Sequence, residues 1–122
     1  MTPSIHWPEP VLAEDIPNDR GPVLVTLEYR IALQERDAFL AAIRAVAAER
    51  KRDRAYRWGV FEDVADEGRW LETFVVDSWL EHLRQHERVT NADRALEEAV
   101  CRSQIGGPPH VTHFIAPETG AV

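Results

Sequence analysis

The sequence predicts a single α+β domain with the element order β-α-β-β-α-β, and three observations carry that prediction. The chain has 122 residues, close to the commonest size of one domain and too few for a second core of any size. Its apolar residues alternate with period two in four short runs and recur at three- and four-residue steps in two longer ones. Capping or turn-forming residues stand where one period gives way to the other. With 44% hydrophobic and 29% charged residues, the chain has the composition of a protein that folds by burial.

Residues 1–22 hold five of the eight prolines, which remove backbone donors and disfavour helix before them, so this stretch reads as an extended arm. It still carries Ile5, Trp7, Val11 and Leu12, and part of it is expected to pack, with Trp7 as the anchor. Residues 23–31 are β-branched and alternating, with Val23, Val25, Leu27 and Tyr29 on one face of a first strand. Over residues 34–51, Phe39, Leu40, Ile43, Val46 and Ala47 recur with a helical period, Arg44 and Glu49 falling between. Residues 55–61 and 69–76 read as a hairpin joined by a polar turn that ends in Gly68. Ser78 followed by Glu81 matches a capping box, with Asp77 adding charge at the start of a second helix. Its apolar positions run on to Ala99, although Thr90-Asn91 can recap the chain and divide the helix. Gly106-Gly107-Pro108-Pro109 ends it, residues 110–116 supply the last strand, and 117–122 are a tail.

This order is the split βαβ, ferredoxin-like pattern, one antiparallel sheet with both helices on the same face and a domain spanning residues 23–116. The opposite face should then be polar. Strict alternation instead leaves apolar residues on both sides, with Tyr56, Trp58 and Val60 against Phe61, and Trp70, Phe74 and Val76 against Leu71 and Val75. A sheet apolar on both faces needs cover on both, and a second copy of the chain in a closed two-fold arrangement is the simplest cover. The expected assembly is a homodimer around a shared cavity; the alternative is that some of these aromatics are merely half exposed.

A net charge of −7 argues against a nucleic-acid partner, which would demand a basic face. The lone Cys101 cannot close an internal disulfide and reads as structural, and no stretch approaches the roughly 18 apolar residues that cross a bilayer, so a cytoplasmic address is expected. Of five histidines, His82 and His86 are four apart on one helix face, but a zinc site needs a third ligand that Glu81 and Glu87 would not supply. No metal is expected, and a solvated or capping role is the ordinary reading of the pair. The basic run from Arg50 to Arg54 suits the end of the first helix, where cations complement the dipole; it reads as solvated, with a membrane-surface contact as the alternative.

Several blocks of the chain resemble known families. Residues 74–86, with Asp77, Trp79, Leu80 and His86 after the third strand, are similar to the strand-to-helix signature of the antibiotic biosynthesis monooxygenase-like superfamily. Ser4-Ile5-His6-Trp7-Pro8, residues 21–30, Tyr56-Arg57-Trp58-Gly59 and residues 82–94 resemble the soluble C-terminal extension of a group of bacterial major facilitator superfamily exporters, the transmembrane secretion effectors. This second resemblance covers nearly the whole chain. It implies a dimeric α+β barrel at the cytoplasmic face of an inner-membrane transporter, with the transporter's membrane domain as partner where the chain is part of a longer protein.

The resemblance also nominates a site. Oxygenation without a cofactor needs an apolar pocket, a base and a polar group for the resulting anion, and Tyr56, Trp58, Glu72, Trp79 and His86 are the candidates to line such a cavity. His86 occupies the superfamily's helix-histidine position and is the candidate base, unless it simply bonds a backbone carbonyl. Haem-degrading relatives use a first-strand asparagine that this chain lacks, and the position nearest their haem ligand falls near Glu98. No cofactor is therefore expected. Two functions follow: an accessory or regulatory domain binding a small apolar or aromatic molecule, or a cofactor-independent monooxygenase acting on a small aromatic substrate. A single candidate base favours the first.

Overall fold

The structure is a computed structural model in which residues 20–52, 54–87 and 91–117 are described, apart from the side chains of residues 85–93. The expected packing of the arm and its Trp7, and the 117–122 tail beyond its first residue, lie outside the described residues. The elements are β1 (Val23–Arg30), α1 (Arg36–Arg52), β2 (Tyr56–Glu62), β3 (Arg69–Val76), α2 (Trp79–Glu87), α3 (Asn91–Cys101) and β4 (His110–Ile115), with a 3₁₀ turn at Leu33–Glu35. The chain thus folds in the ferredoxin-like βαββαβ order, with α2 and α3 in the place of the second helix; the predicted recapping at Thr90 lies outside the described residues. No helix among the described residues is long and apolar enough to cross a membrane.

Local chemistry sets the boundaries. The Ser78 hydroxyl accepts the Glu81 amide at 3.2 Å, the capping contact that starts α2. The Trp79 amide donates to the Arg20 carbonyl at 2.7 Å, and the Arg20 guanidinium donates to the Ala116 carbonyl at 2.9 Å. These two bonds tie the strand that enters β1 to the ends of β3 and β4. The approach is so close at Gly21 that a β-carbon there would collide with the Asp77 carbonyl and the Ser78 backbone.

The sheet order is β2-β3-β1-β4, antiparallel throughout. Registered rows cross it. On the helix side run Val76, Val23 and Ile115; Phe74, Val25 and His113; Val60, Glu72, Leu27 and Val111; and Trp70 with Tyr29. With Phe39, Ile43 and Val46 of α1 and Val100 of α3 the apolar members form the core. Phe39 stands between the Tyr29 and Trp70 rings at 5.3 and 5.4 Å.

Among the described residues no helix covers the other face. Its rows are Tyr56, Val75, Leu24 and Phe114; then Gly59, Thr73, Thr26 and Thr112; then Phe61, Leu71, Glu28 and His110. The first is apolar across all four strands, and Leu24, Tyr56, Phe61, Leu71 and Phe114 are all exposed. A second apolar face is present, as expected, but strict alternation does not describe it. Between Tyr56↔Val75 and Gly59↔Thr73, β2 advances three residues while β3 advances two. The extra residue is a bulge, with Arg57 in the left-handed region at φ 52°. It moves Tyr56 to the face opposite Trp58, so these two do not share a side.

Candidate functional site

Glu72 sits mid-strand on β3 and is fully buried on the helix side of the sheet. A buried carboxylate is costly unless its charge is paired and its lone pairs are filled. Both conditions are met. The Tyr29 hydroxyl donates to Oε1 at 2.8 Å, Arg50 donates through Nε to Oε2 at 3.0 Å and through Nη2 to Oε1 at 3.4 Å, and the Trp58 indole N–H donates to Oε2 at 2.9 Å. A carboxylate offers about four lone-pair sites, so these donors saturate it. Arg50 lies 5.0 Å over the Phe74 ring and 3.9 Å from Glu49. Burial, the largest influence, would lower the Arg50 guanidinium, but the Glu72 charge and hydrogen bond, with Tyr29 and Glu49, together outweigh it and the group is held firmly protonated. Burial, and then the Glu72 charge, push the Tyr29 phenol well above its ordinary range.

Arg50 corrects the reading of the basic run as solvated, because it is 3% exposed. Its spacing from Ile43, Val46 and Ala47 continues the apolar stripe of α1, which turns the residue inward onto Glu72. Lys51, Arg52 and Arg54 are exposed. Beside the pair, a void of about 10 Å³ bounded by Tyr29, Val46, Arg50, Glu97, Val100, Cys101 and Pro109 is the space left between α1, α3 and the sheet. It holds at most one water. Burial, and then Glu97, push the Cys101 thiol up to about 11, which leaves it protonated and inert at neutral pH.

A second cluster fills the α2 end. Trp79 and His82, one turn apart on α2, both point inward against β4, His82 being fully buried. Their ring centroids are 5.0 Å apart, and His113 lies 4.5 Å from His82 and 6.1 Å from Trp79. His82 is therefore a packed core histidine and not a solvated one. Among the described residues no group of three or more histidine, cysteine, aspartate or glutamate side chains could hold a metal ion.

The five nominated residues thus divide. Trp58 and Glu72 meet through a hydrogen bond on the helix side; Trp79 packs at the far end of the same layer against the two histidines; Tyr56 is on the opposite face. His86 belongs to α2, but its side chain lies outside the described residues. Tyr29 and Arg50 were not nominated, yet they hold the Glu72 carboxylate, and the apolar stripe of α1 was the signal that could have found Arg50.

Open volume lies on this second face of the sheet. A cleft of about 480 Å³ runs over the apolar row, lined by Pro22, Leu24, Arg57, Thr73, Val75 and Phe114. That volume is in the range of small-molecule sites, and its walls are mainly apolar with one cation and one hydroxyl. Tyr56 stands beside it, opposite Val75, its phenol raised by burial and by the adjacent Asp77.

The fold matches solved structures across most of its length. A candidate antibiotic biosynthesis monooxygenase of Caulobacter crescentus superposes with a TM-score of 0.70 at 16% identity, over 83% of this chain and 94% of that one. A second candidate of the same kind, from Nitrosomonas europaea, gives 0.67 at 11% identity over 85% and 96%. A Mycobacterium tuberculosis protein gives 0.66 at 16% identity over 84% and 100%. At these identities the likeness is one of fold. No curated protein matches the sequence significantly. The transmembrane secretion effector family matches residues 1–120, and with its ferredoxin-like, monooxygenase-type fold the chain belongs to that family.

Proposed function

We propose that this domain is an accessory or regulatory small-molecule-binding module of, or related to, a bacterial major facilitator superfamily exporter, working as a homodimer at the cytoplasmic face of the inner membrane. The contrast between the two faces of the sheet carries the reading. On the helix side the buried carboxylate is saturated and the space beside it is no larger than a water, so Glu72 has no lone pair with which to take a proton from a substrate. On the other side an apolar cleft of about 480 Å³ is open. A second copy laid on that face covers the exposed apolar row and turns the cleft into a shared cavity. Family membership supports the link to export.

The alternative, a cofactor-independent monooxygenase with His86 as base, predicts a different measurement. A panel of anthrone-like and quinol-like compounds is tested for thermal stabilisation of the domain and, in parallel, for oxygen uptake. Stabilisation without oxygen uptake is the expected result. Uptake that requires the folded domain and disappears in His86→Ala would make it an enzyme instead.

A further inference from the structure

We infer that the open-face cleft takes an aromatic or otherwise apolar molecule bearing one negative charge, with Arg57 as the group that holds the anion. The inference rests on the binding-module reading and deepens it. Arg30, Arg57 and Arg69 are the arginines of the described strands that stand at this face or its margin. Arg69 bonds Glu28 and Asp63 at 2.6 and 2.8 Å, and Arg30 bonds Asp66 at 2.8 Å, so both are neutralised by the protein itself. Arg57 differs: among the described residues no carboxylate pairs with it, and it lines the cleft beside Leu24, Val75 and Phe114.

The backbone points the same way. Arg57 is the extra residue of the β2 bulge and holds a left-handed φ of 52°, a conformation that glycine or asparagine would adopt at lower cost. Strain of this kind persists where the surroundings require it and concentrates at ligand sites. Here its local effect is visible. The bulge lets Arg57 reach the cleft while Trp58, the next residue, still reaches Glu72 on the other side. The remaining polar contribution is the Thr73 hydroxyl at the cleft's edge, an uncharged donor or acceptor. A neutral apolar ligand would leave this exposed cation to solvent alone. A dianion would exceed the charge that this single cation can balance.

The test uses a matched pair of fluorescent probes on the full chain: anilinonaphthalene sulfonate, and phenylnaphthylamine, which has the same aromatic core without the sulfonate. The wild-type chain is expected to bind the sulfonate more tightly than the amine. Arg57→Asn, which keeps the left-handed backbone accessible, should weaken the sulfonate by roughly three- to tenfold and leave the amine within about twofold. Phe114→Ser should weaken both. Added salt should reduce sulfonate affinity for the wild type only, a reading that stands even where a variant folds poorly. Loss of both probes to the same degree in Arg57→Asn, or no loss of either, overturns the anion assignment while leaving the binding module intact. Probes that bind regardless of Phe114→Ser place the ligand elsewhere and overturn it too. Failure of both probes to bind the folded wild-type chain removes the binding module itself.

Discussion

At the residue scale the Glu72–Arg50 pair decides most. Each partner is fully buried or nearly so, and the surrounding donors complete the shells that water would have supplied. Removing one partner therefore costs more than the contact is worth, because the other charge stays buried. Glu72→Ala should lower unfolding free energy by about 3–5 kcal/mol, read as a shifted urea midpoint. Replacing both, Arg50→Met with Glu72→Leu, should recover most of that loss. A double variant as unstable as the single one would show that the apolar packing, and not the orphaned charge, had been lost. Cys101 gives the pH-dependent case. Its folded-state value of about 11 stands above the ~8.5 of an unfolded chain, so below ~8.5 the thiol is protonated in both states and its contribution is complete. As pH rises from there to about 11 the unfolded chain loses its proton first and stability falls. At neutral pH iodoacetamide should alkylate the native protein far more slowly than the urea-unfolded chain, and equal rates would contradict the burial that raises this thiol. Arg50 was legible in the sequence only as a member of the stripe Ile43, Val46, Ala47, and its charge concealed that spacing among three other cations.

Among the elements, the strands and helices were readable because their periods differ and their ends carry chemistry, such as Ser78 at the start of α2 and the glycines and prolines before β4. The β2 bulge was not. Its left-handed residue is an arginine, so no glycine or asparagine marked the position, and strict alternation set Tyr56 beside Trp58. Relieving that backbone strain is itself a test. Arg57→Gly should leave stability unchanged or raise it by up to about 1 kcal/mol, since relief of the left-handed penalty on a side-chain-bearing residue outweighs or matches the entropy that the unfolded chain gains. The same substitution should weaken binding of an anionic probe. A clear drop in melting temperature would mean that the Arg57 side chain packs as a structural support. Gly21→Ala should do the opposite: its β-carbon meets the Asp77 carbonyl, a rigid neighbour, and the strand entering β1 must move away from α2.

For the whole molecule the issue is what lies on the second apolar face. The sequence disclosed that such a face exists, because no parity of the alternation could hide its aromatics; it could not disclose where the open volume is, which depends on the register of four strands. In that register Leu24 is the centre of the row, flanked by Val75 and Phe114, and it points away from the core that Val23 and Val25 occupy. A negative charge at this position should leave the folded chain almost untouched, since the side chain is already 38% exposed. Across a two-fold interface, however, the same charge is brought close to its own copy and is desolvated twice. Leu24→Asp is therefore expected to convert a dimer into a folded monomer, with light scattering reporting half the mass and thermal unfolding still cooperative. If the wild-type chain is already a monodisperse monomer at micromolar concentration, the face is covered by something other than a second copy. If Leu24→Asp remains a dimer, the interface lies elsewhere and the cleft opens directly to solvent.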